Sequence, residues 1–169
     1  MIKKLLPFTV SIVIVLLDQL SKLWVVNNLE YYGEGLSYLN DFLRIVWVEN
    51  SGIAFSMGVS FDVIFKIILF IILPIALVVV LAVVILINDR KKEFKYYQLF
   101  LLAGIIGGGT GNLIDRITRS FHVVDFISVK MYGFLGFNRF PTFNIADSAV
   151  VVSVILMCIL YIVKERGND

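Results

Sequence analysis

Three aspartates, Asp115, Asp125 and Asp147, lie at or near the ends of long apolar runs in this 169-residue sequence. A carboxylate at membrane depth costs about 2.5–3.5 kcal/mol to insert, so it usually has a partner or a task. Two carboxylates held close together cannot both ionise easily, so one keeps a proton while the other acts as a base. Such a pair can activate water and polarise a carbonyl group without a metal or a covalent intermediate. The three residues therefore indicate acid–base chemistry at a membrane boundary.

Two of these aspartates also have a structural explanation. Asp115 could form a hydrogen bond with Asn112 or pair with Arg116, because buried charges usually have a partner. Asp147 could belong to a capping box at a helix start, with Asn144 as the N-cap residue. These roles and a catalytic role remain open at this point.

The other acidic residues near apolar runs differ in what surrounds them. Asp125 has the weakest structural explanation, because Lys130 is the only nearby residue in the sequence that could neutralise it. Asp18 and Lys22 are four residues apart inside the first apolar run, which places them on one helix face. We therefore predict a structural ion pair between Asp18 and Lys22, since an intramembrane pair satisfies both charges.

The composition places the chain in a lipid bilayer. Hydrophobic residues make up 59% of the sequence and charged residues 17%, against roughly 25% charged residues in a soluble domain. A helix needs ~20 apolar residues to cross the hydrocarbon layer. We predict an all-α membrane protein, one membrane domain over residues 1–169, with spans at about 5–26, 64–87, 96–114 and 145–163.

The distribution of basic residues predicts the orientation of the spans. Lysine and arginine are dense in the two terminal segments and in the short loop 88–95, and sparse in the long loops 27–63 and 115–144. The positive-inside rule then places both termini and loop 88–95 in the cytoplasm and the two long loops outside. The first span is expected to be retained, because no small-residue cleavage site follows it.

The first outward loop has the pattern of a small β-structure. Residues Leu43–Val48 are rich in β-branched and aromatic side chains, and turn-forming residues flank them on both sides. This pattern predicts a strand. We expect a small extracytoplasmic β-platform in the first outward loop.

Glycines in the third span predict close helix packing. Gly104, Gly108, Gly111 and Asp115 follow one another at spacings of four, three and four, which places them on one helix face. Small residues on such a face let a neighbouring helix approach closely. A nucleotide-binding loop is not predicted here, because the Gly-Lys-Ser/Thr ending is absent from the run.

Several other site types are disfavoured by the residues present. His122 is the sole histidine and there is no His-Glu-x-x-His motif, which argues against a zinc protease and a serine triad. Cys158 is the sole cysteine, so no intramolecular disulfide can form, and its apolar setting indicates a packing role. We expect no metal, no cofactor and no nucleic-acid partner, since the basic residues flank the spans.

Two other function classes remain open from composition and spacing. Intramembrane Asp, Asn and Lys residues also mark proton pathways, so a transporter is one alternative. A structural membrane subunit, with the aspartates as caps and ion pairs, is the other. Proton flux without peptide cleavage in proteoliposomes would favour the transporter.

Five segments of the chain resemble the motifs of lipoprotein signal peptidases (signal peptidase II), a family of bacterial membrane aspartyl proteases. The motifs occur in order over nearly the whole chain, at Asp18–Lys22, Asn50–Phe55, Gly111–Arg116, Val123–Ile127 and Phe143–Ser148. One departure is Ile53, where the family often has alanine.

The resemblance implies particular roles for the residues in these motifs. Asp125 and Asp147 would be the catalytic dyad. The residues expected to shape the active site and contact the substrate are Asn50, Gly52, Asn112, Asp115, Arg116 and Asn144. The substrate would be a prolipoprotein whose cysteine carries diacylglycerol, cut just before that cysteine at the outer face of the bacterial cytoplasmic membrane. By the same resemblance we expect a monomer whose other partners are membrane lipids.

Overall fold

The computed structural model describes residues 2–52, 62–91 and 93–166. Within them the chain forms six α-helices, a π-helix, a short 3-10 helix and three strands. The α-helices are α1 (Ile2–Leu5), α2 (Phe8–Asn28), α3 (Val63–Ile67), α4 (Leu73–Lys91), α5 (Tyr96–Thr118) and α6 (Ile145–Arg166).

Four helical stretches are long and apolar enough to cross a membrane: Phe8–Asn28, Val63–Asn88, Tyr96–Thr118 and Ile145–Val163. The prediction of an all-α membrane protein with four transmembrane helices is confirmed. The main difference lies in α5, which continues to Thr118 rather than ending near residue 114. Asp115 and Arg116 are therefore part of the last helical turns and project from a rigid element.

A π-helical segment, Ile68–Ile72, interrupts the second span between α3 and α4. The backbone N–H of Leu73 donates to the carbonyl of Ile68, five residues back. Pro74 follows at once, and its ring nitrogen cannot donate the hydrogen bond of a regular α-helix. π-Helical turns commonly relieve such a mismatch. The irregular turn contains Phe70, which is buried against the rest of the bundle.

Three antiparallel strands form a small sheet at one end of the bundle. They are β1 (Leu36–Tyr38), β2 (Leu43–Asn50) and β3 (Val123–Val129), in the order β1-β2-β3. The predicted strand in the first long loop is confirmed as part of β2. β3 comes from the second long loop and was not predicted, because its apolar run is interrupted by one charged residue and lacks the alternation of a half-buried strand.

Asp41, in the turn between β1 and β2, ties the sheet to the second long loop. Its carboxylate pairs with Arg44, with Lys130 at 3.2 Å and with Arg139 at 3.3 Å. The hydrogen bond from Arg44, with smaller effects of Lys130, lowers the pKa of Asp41 to about 2. The turn and the strand ends are therefore held in one arrangement, which positions β3.

Apolar side chains hold the sheet on the helices. Val25 of α2 packs against Val124 and Phe126 of β3, and all three side chains are buried. Burying side chains of this size contributes about 1.5–3 kcal/mol each. Alternate residues of a strand point to opposite faces. Asp125, between these two β3 residues, is therefore directed away from this apolar cluster.

Helix α5 lies at the centre of the bundle and packs against α2, α4, α6 and β3. A Cβ atom on Gly108 would collide with the backbone carbonyl of Ala146 in α6, and one on Gly104 would collide with the Ser153 side chain. A Cβ on Gly107 would lie 2.9 Å from Ser11 Cα in α2. The predicted glycine face is confirmed against α6, and Gly107 plays the same part against α2.

We predict that Gly108→Ala destabilises the protein while Gly109→Ala does not. The new methyl of Gly108→Ala meets backbone and forces α5 and α6 apart, an overpacking cost of about 1–3 kcal/mol. This outweighs the gain in helix propensity of up to ~1 kcal/mol. At Gly109 the methyl would lie 3.4 Å from the Val78 side chain, an ordinary contact. Thermal unfolding in detergent checks the pair, and an unchanged melting temperature for Gly108→Ala would contradict the close packing.

Candidate active site

Two aspartates from different elements line one cavity at the sheet end of the bundle. Asp125 lies in β3 and Asp147 lies in the first turn of α6. The cavity has a volume of about 880 Å³, and its other polar lining residues include Asn50, Asn112 and Arg116. Residues far apart in the sequence are thus brought to one solvent-accessible space beside the spans.

Asp125 is only 2% exposed, and its carboxylate accepts hydrogen bonds from two asparagine amides. Asn50 Nδ2 donates to Oδ2 at 3.1 Å, and Asn144 Nδ2 donates to Oδ1 at 2.7 Å. Burial, followed by the negative charge of Asp147, raises the pKa of Asp125 to about 7. The amide hydrogen bonds act in the opposite direction. Asp125 therefore holds a proton under conditions where an exposed aspartate is ionised.

Asp147 accepts hydrogen bonds through both of its carboxylate oxygens. Asn112 Nδ2 donates to Oδ1 at 2.7 Å, and the backbone N–H of Asn144 donates to Oδ2 at 3.2 Å. Asn144 Oδ1 in turn accepts from the backbone N–H of Asp147 at 2.9 Å. This reciprocal pair is the capping box anticipated from the sequence. Because the positive end of the helix dipole lies here, a negative charge on Asp147 is favoured.

Asn144 is fully buried and touches both aspartates. Its side-chain oxygen is occupied by the helix cap, so its amide nitrogen must face the other way. That nitrogen lies 2.7 Å from Asp125 Oδ1, 3.1 Å from Asn112 Oδ1 and 3.3 Å from the carbonyl of Val124. One side chain therefore sets the start of α6 and the position of the Asp125 carboxylate.

Lys22 is buried inside the bundle, and its ammonium group orients the polar side chains next to the cavity. Its Nζ lies 2.8 Å from Asp18 Oδ2, 2.9 Å from Asp115 Oδ2 and 3.0 Å from Asn112 Oδ1. An ammonium has three protons, so these three acceptors satisfy it completely. With its oxygen turned toward Lys22, the Asn112 amide must present its NH₂ group to Asp147.

The partners of Asp115 differ from those expected. The sequence suggested Arg116 or Asn112, but among the described residues Asp115 pairs with Lys22 and accepts from the backbone N–H of Val124 at 3.1 Å. Consecutive helix residues do not face each other, so Arg116 points elsewhere. Asp115 therefore joins Lys22 to the start of β3 and does not line the cavity.

Arg116 is held beside the cavity by the backbone of two loops and by an aromatic ring. Its guanidinium donates to the carbonyl of Phe121 at 2.5 Å and to the carbonyl of Gly52. It also lies 4.4 Å from the centroid of the Phe70 ring, a cation–π geometry. The Gly52 N–H donates to Asn50 Oδ1 at 2.9 Å, which fixes the orientation of the Asn50 amide. Residues 53–55 of the same motif, including Ile53, lie outside the described residues.

Two contacts of the site were missed by the sequence analysis. The Asp18–Lys22 pair is present, but Asp18 Oδ1 also accepts from the backbone N–H of Ala146 at 3.0 Å, so α2 caps the start of α6. Phe70, which stacks on Arg116, was not singled out either. The proline at position 74 was the only signal near Phe70, and no sequence signal links residues 18 and 146.

Comparison with known proteins gives consistent matches over nearly the full chain. A family model described as Signal peptidase (SPase) II matches residues 10–163. The lipoprotein signal peptidase of Treponema pallidum (strain Nichols) is 37% identical over 164 residues, which cover 97% of this chain and 87% of that protein. The lipoprotein signal peptidase of Borrelia hermsii (strain HS1 / DAH) is 40% identical over 158 residues, covering 93% and 90%.

The fold is also similar to solved structures. A bacterial membrane enzyme studied by the in meso method has a TM-score of 0.78 and 27% sequence identity, over 96% of this chain and 90% of that chain. A second structure of a bacterial membrane enzyme gives a TM-score of 0.74 over 92% of this chain. With a family model and relatives that match almost end to end, the chain belongs to the signal peptidase II family.

Proposed function

We propose that this protein is an aspartic endopeptidase that removes the signal peptide from diacylglyceryl-modified prolipoproteins, cutting just before the lipidated cysteine. Membership of the signal peptidase II family makes it a multi-pass membrane protease of bacteria. The observation that carries the finer proposal is the pair of carboxylates, Asp125 and Asp147, which line one cavity and are both bound by Asn144.

The two carboxylates have different environments, which suggests different roles. Asp125 is the acid, because burial and the nearby charge of Asp147 raise its pKa to about 7. Asp147 is the base, because it is less buried than Asp125 and lies at a helix N-terminus, where a negative charge is stabilised. Pairs of carboxyl groups whose environments differ in this way are typical of acid–base catalysis.

In the proposed reaction Asp147 takes a proton from a water molecule, and the water oxygen attacks the carbonyl carbon of the scissile peptide. Asp125 gives its proton to the carbonyl oxygen, so the intermediate is a neutral gem-diol. Return of the diol proton to Asp125 and transfer of the Asp147 proton to the leaving nitrogen then break the C–N bond. The products are a carboxylic acid and an amine, and each aspartate ends in its starting state.

The supporting residues keep this geometry fixed before substrate arrives. Asn50 and Asn144 hold Asp125, and Asn112 holds Asp147. Arg116 lines the same cavity as both aspartates, and backbone carbonyls set its position. Preorganised polar groups of this kind contribute more in a partly dehydrated site than they do in water.

The apolar lining of the cavity, and its opening toward the surface of the bundle, suit a substrate that carries lipid. Apolar side chains of Phe140, Phe143, Val150 and Val151 line it beside the polar residues. Val151 is 55% exposed on α6, so the cavity reaches the lipid-facing surface of the bundle. Acyl chains on the cysteine could remain in contact with membrane while the peptide bond reaches the aspartates. We place this end of the bundle at the outer face, from the positive-inside argument.

The structure offers less support for a proton pathway. Lys22 pairs with both Asp18 and Asp115, beside the start of α6 at the sheet end of the bundle. This local cluster lies at one end of the bundle, whereas a proton pathway would have to continue along the spans. We therefore propose no transport function.

We predict that Asp125→Asn and Asp147→Asn each lower kcat for a diacylglyceryl lipobox peptide by about 10²–10⁴-fold, the usual contribution of a general acid or base. The assay uses purified protein with a chelator present, which separates this mechanism from metal-dependent hydrolysis. Asp62→Asn is the matched control, because Asp62 is exposed and makes no side-chain cap hydrogen bond. Near wild-type turnover in either cavity variant, with the protein folded, would contradict the dyad.

The proposed roles also predict the pH dependence. Above pH 7 Asp125 loses the proton that it must donate, since its pKa is raised to about 7. The value of kcat/KM should therefore fall about tenfold per pH unit at higher pH, with the protein still folded. The profile is measured with a substrate that has no titrating group between pH 6 and 9. A rate that is constant or rising up to pH 9 would show that Asp125 is not the proton donor.

A further inference from the structure

We propose that the free end of the sheet binds anionic phospholipids of the outer leaflet, with apolar side chains in the lipid and basic side chains on the phosphate groups. This sheet tip consists of two adjacent turns, residues 39–42 between β1 and β2 and residues 130–138 after β3. The binding is independent of the cleavage reaction, since it concerns a surface on which the sheet rests.

The sheet tip exposes large apolar side chains. Leu39 is 73% exposed, Tyr132 is 70% exposed and Phe134 is 65% exposed, and Phe42 and Phe137 are exposed as well. All of them lie outside the four spans, where a lipid contact would explain such exposure. Apolar side chains grouped in this way, with no described part of the chain covering them, mark an interaction surface.

The backbone of the two turns holds these side chains outward. Leu39 and Tyr132 both have a φ of 52°, in the left-handed region that bulky residues rarely adopt. The N–H of Lys130 donates to the carbonyl of Phe42 at 2.8 Å, which joins one turn to the other. Strained residues of this kind are concentrated at functional sites. Because both side chains are mostly exposed, packing within the described chain gives no reason for the strain, whereas contact with another surface does.

Basic side chains lie directly behind the apolar ones. The carboxylate of Asp41 pairs with Arg44, Lys130 and Arg139, so three positive charges meet one negative charge. Arg139 is fully engaged with Asp41 and Ser128. Among the hydrogen bonds of the described residues, Arg44 and Lys130 each make one side-chain bond, to Asp41. Their remaining N–H groups can therefore bind a phosphate oxygen.

This combination selects a lipid surface over a protein partner. Lys130 Nζ lies 5.4 Å from the centroid of the Tyr132 ring, and basic groups beside aromatic rings are typical of the membrane–water interface. A second copy of the chain would instead bring the same positive charges together. The sheet also packs against the end of α2, through Val25 and Leu29, so the outer leaflet is within reach of the tip. Apolar burial and attraction to anionic headgroups then act together.

The lipid contact is tested with a bimane label on the full chain in vesicles of brominated phosphatidylcholine, whose acyl-chain bromines quench a fluorophore in contact with them. In a Cys158→Ala background, Leu39→Cys, Phe134→Cys and Glu34→Cys each provide one labelling site. We expect the labels at positions 39 and 134 to be quenched as strongly as a label on the native Cys158, which is exposed on α6. Position 34 is the matched control, because it is exposed in the same outward loop but lies outside the tip, and its label should stay bright.

The headgroup preference is tested with the label at position 134. Brominated phosphatidylglycerol and brominated phosphatidylcholine are compared at the same low mole fraction in unbrominated phosphatidylcholine. We expect phosphatidylglycerol to be enriched about fivefold around the label, as one basic side chain near an anionic headgroup allows, and salt to reduce the enrichment. Arg44→Gln and Lys130→Gln should each lower it, and the double variant should bring it close to one. Lys66→Gln is the matched control, because it removes the same charge from α3, outside the tip, and should leave the enrichment unchanged.

Two results would overturn the proposal. Labels at positions 39 and 134 that stay bright while the label on Cys158 is quenched would show that the tip does not touch lipid. Equal quenching by the two lipids, or an enrichment that the double variant leaves intact, would show that Arg44 and Lys130 do not bind the headgroup. Both measurements are made without substrate, so neither outcome depends on the proposed cleavage activity.

Discussion

The buried ammonium group of Lys22 is the constraint on which the rest of the site depends. Removing a charge from water costs several kcal/mol, and only close partners with good geometry offset that cost. Lys22 has three such partners, Asp18 on its own helix and Asn112 and Asp115 on α5. A shift of α2 along α5 would leave at least one charge buried without a partner. The pairing therefore selects one register between these helices, which apolar side chains alone would specify less sharply.

This register explains why α5 needs glycine along its length. Polar groups on neighbouring helices can meet at hydrogen-bond distance only where the backbones approach closely. A Cβ atom on Gly111 would lie 2.8 Å from Asp18 Oδ2, in the space that the Asp18 carboxylate occupies. The other oxygen of Asp18 accepts from the Ala146 N–H and so brings the start of α6 against α2. The glycine face of α5 and the polar cluster around Lys22 therefore depend on the same close packing of α2, α5 and α6.

The parts of this structure that the sequence predicts are those that depend on local periodicity. Span lengths follow from apolar runs, the packing face of α5 follows from the spacing of its glycines, and the capping box at α6 follows from Asn144 and Asp147. The features that were predicted wrongly, or not predicted, depend on contacts between residues that are distant in the sequence. Asp115 pairs with Lys22 rather than with its neighbour Arg116. The strand β3 forms because β2 and the helices bury both of its faces, and this burial cannot be read from the residues of β3 alone.

The arrangement also explains how two carboxylates can be held together despite their repulsion. Asp125 is fixed in a strand whose neighbours Val124 and Phe126 pack against α2, and Asp147 is fixed in the first turn of a helix. Neither can move away without disrupting its element. Asn144 donates to Asp125 while its oxygen and its backbone N–H complete the cap with Asp147. The α6 cap and the position of the Asp125 carboxylate therefore both depend on Asn144, and loss of its amide group would weaken the cap and the hold on Asp125 at once.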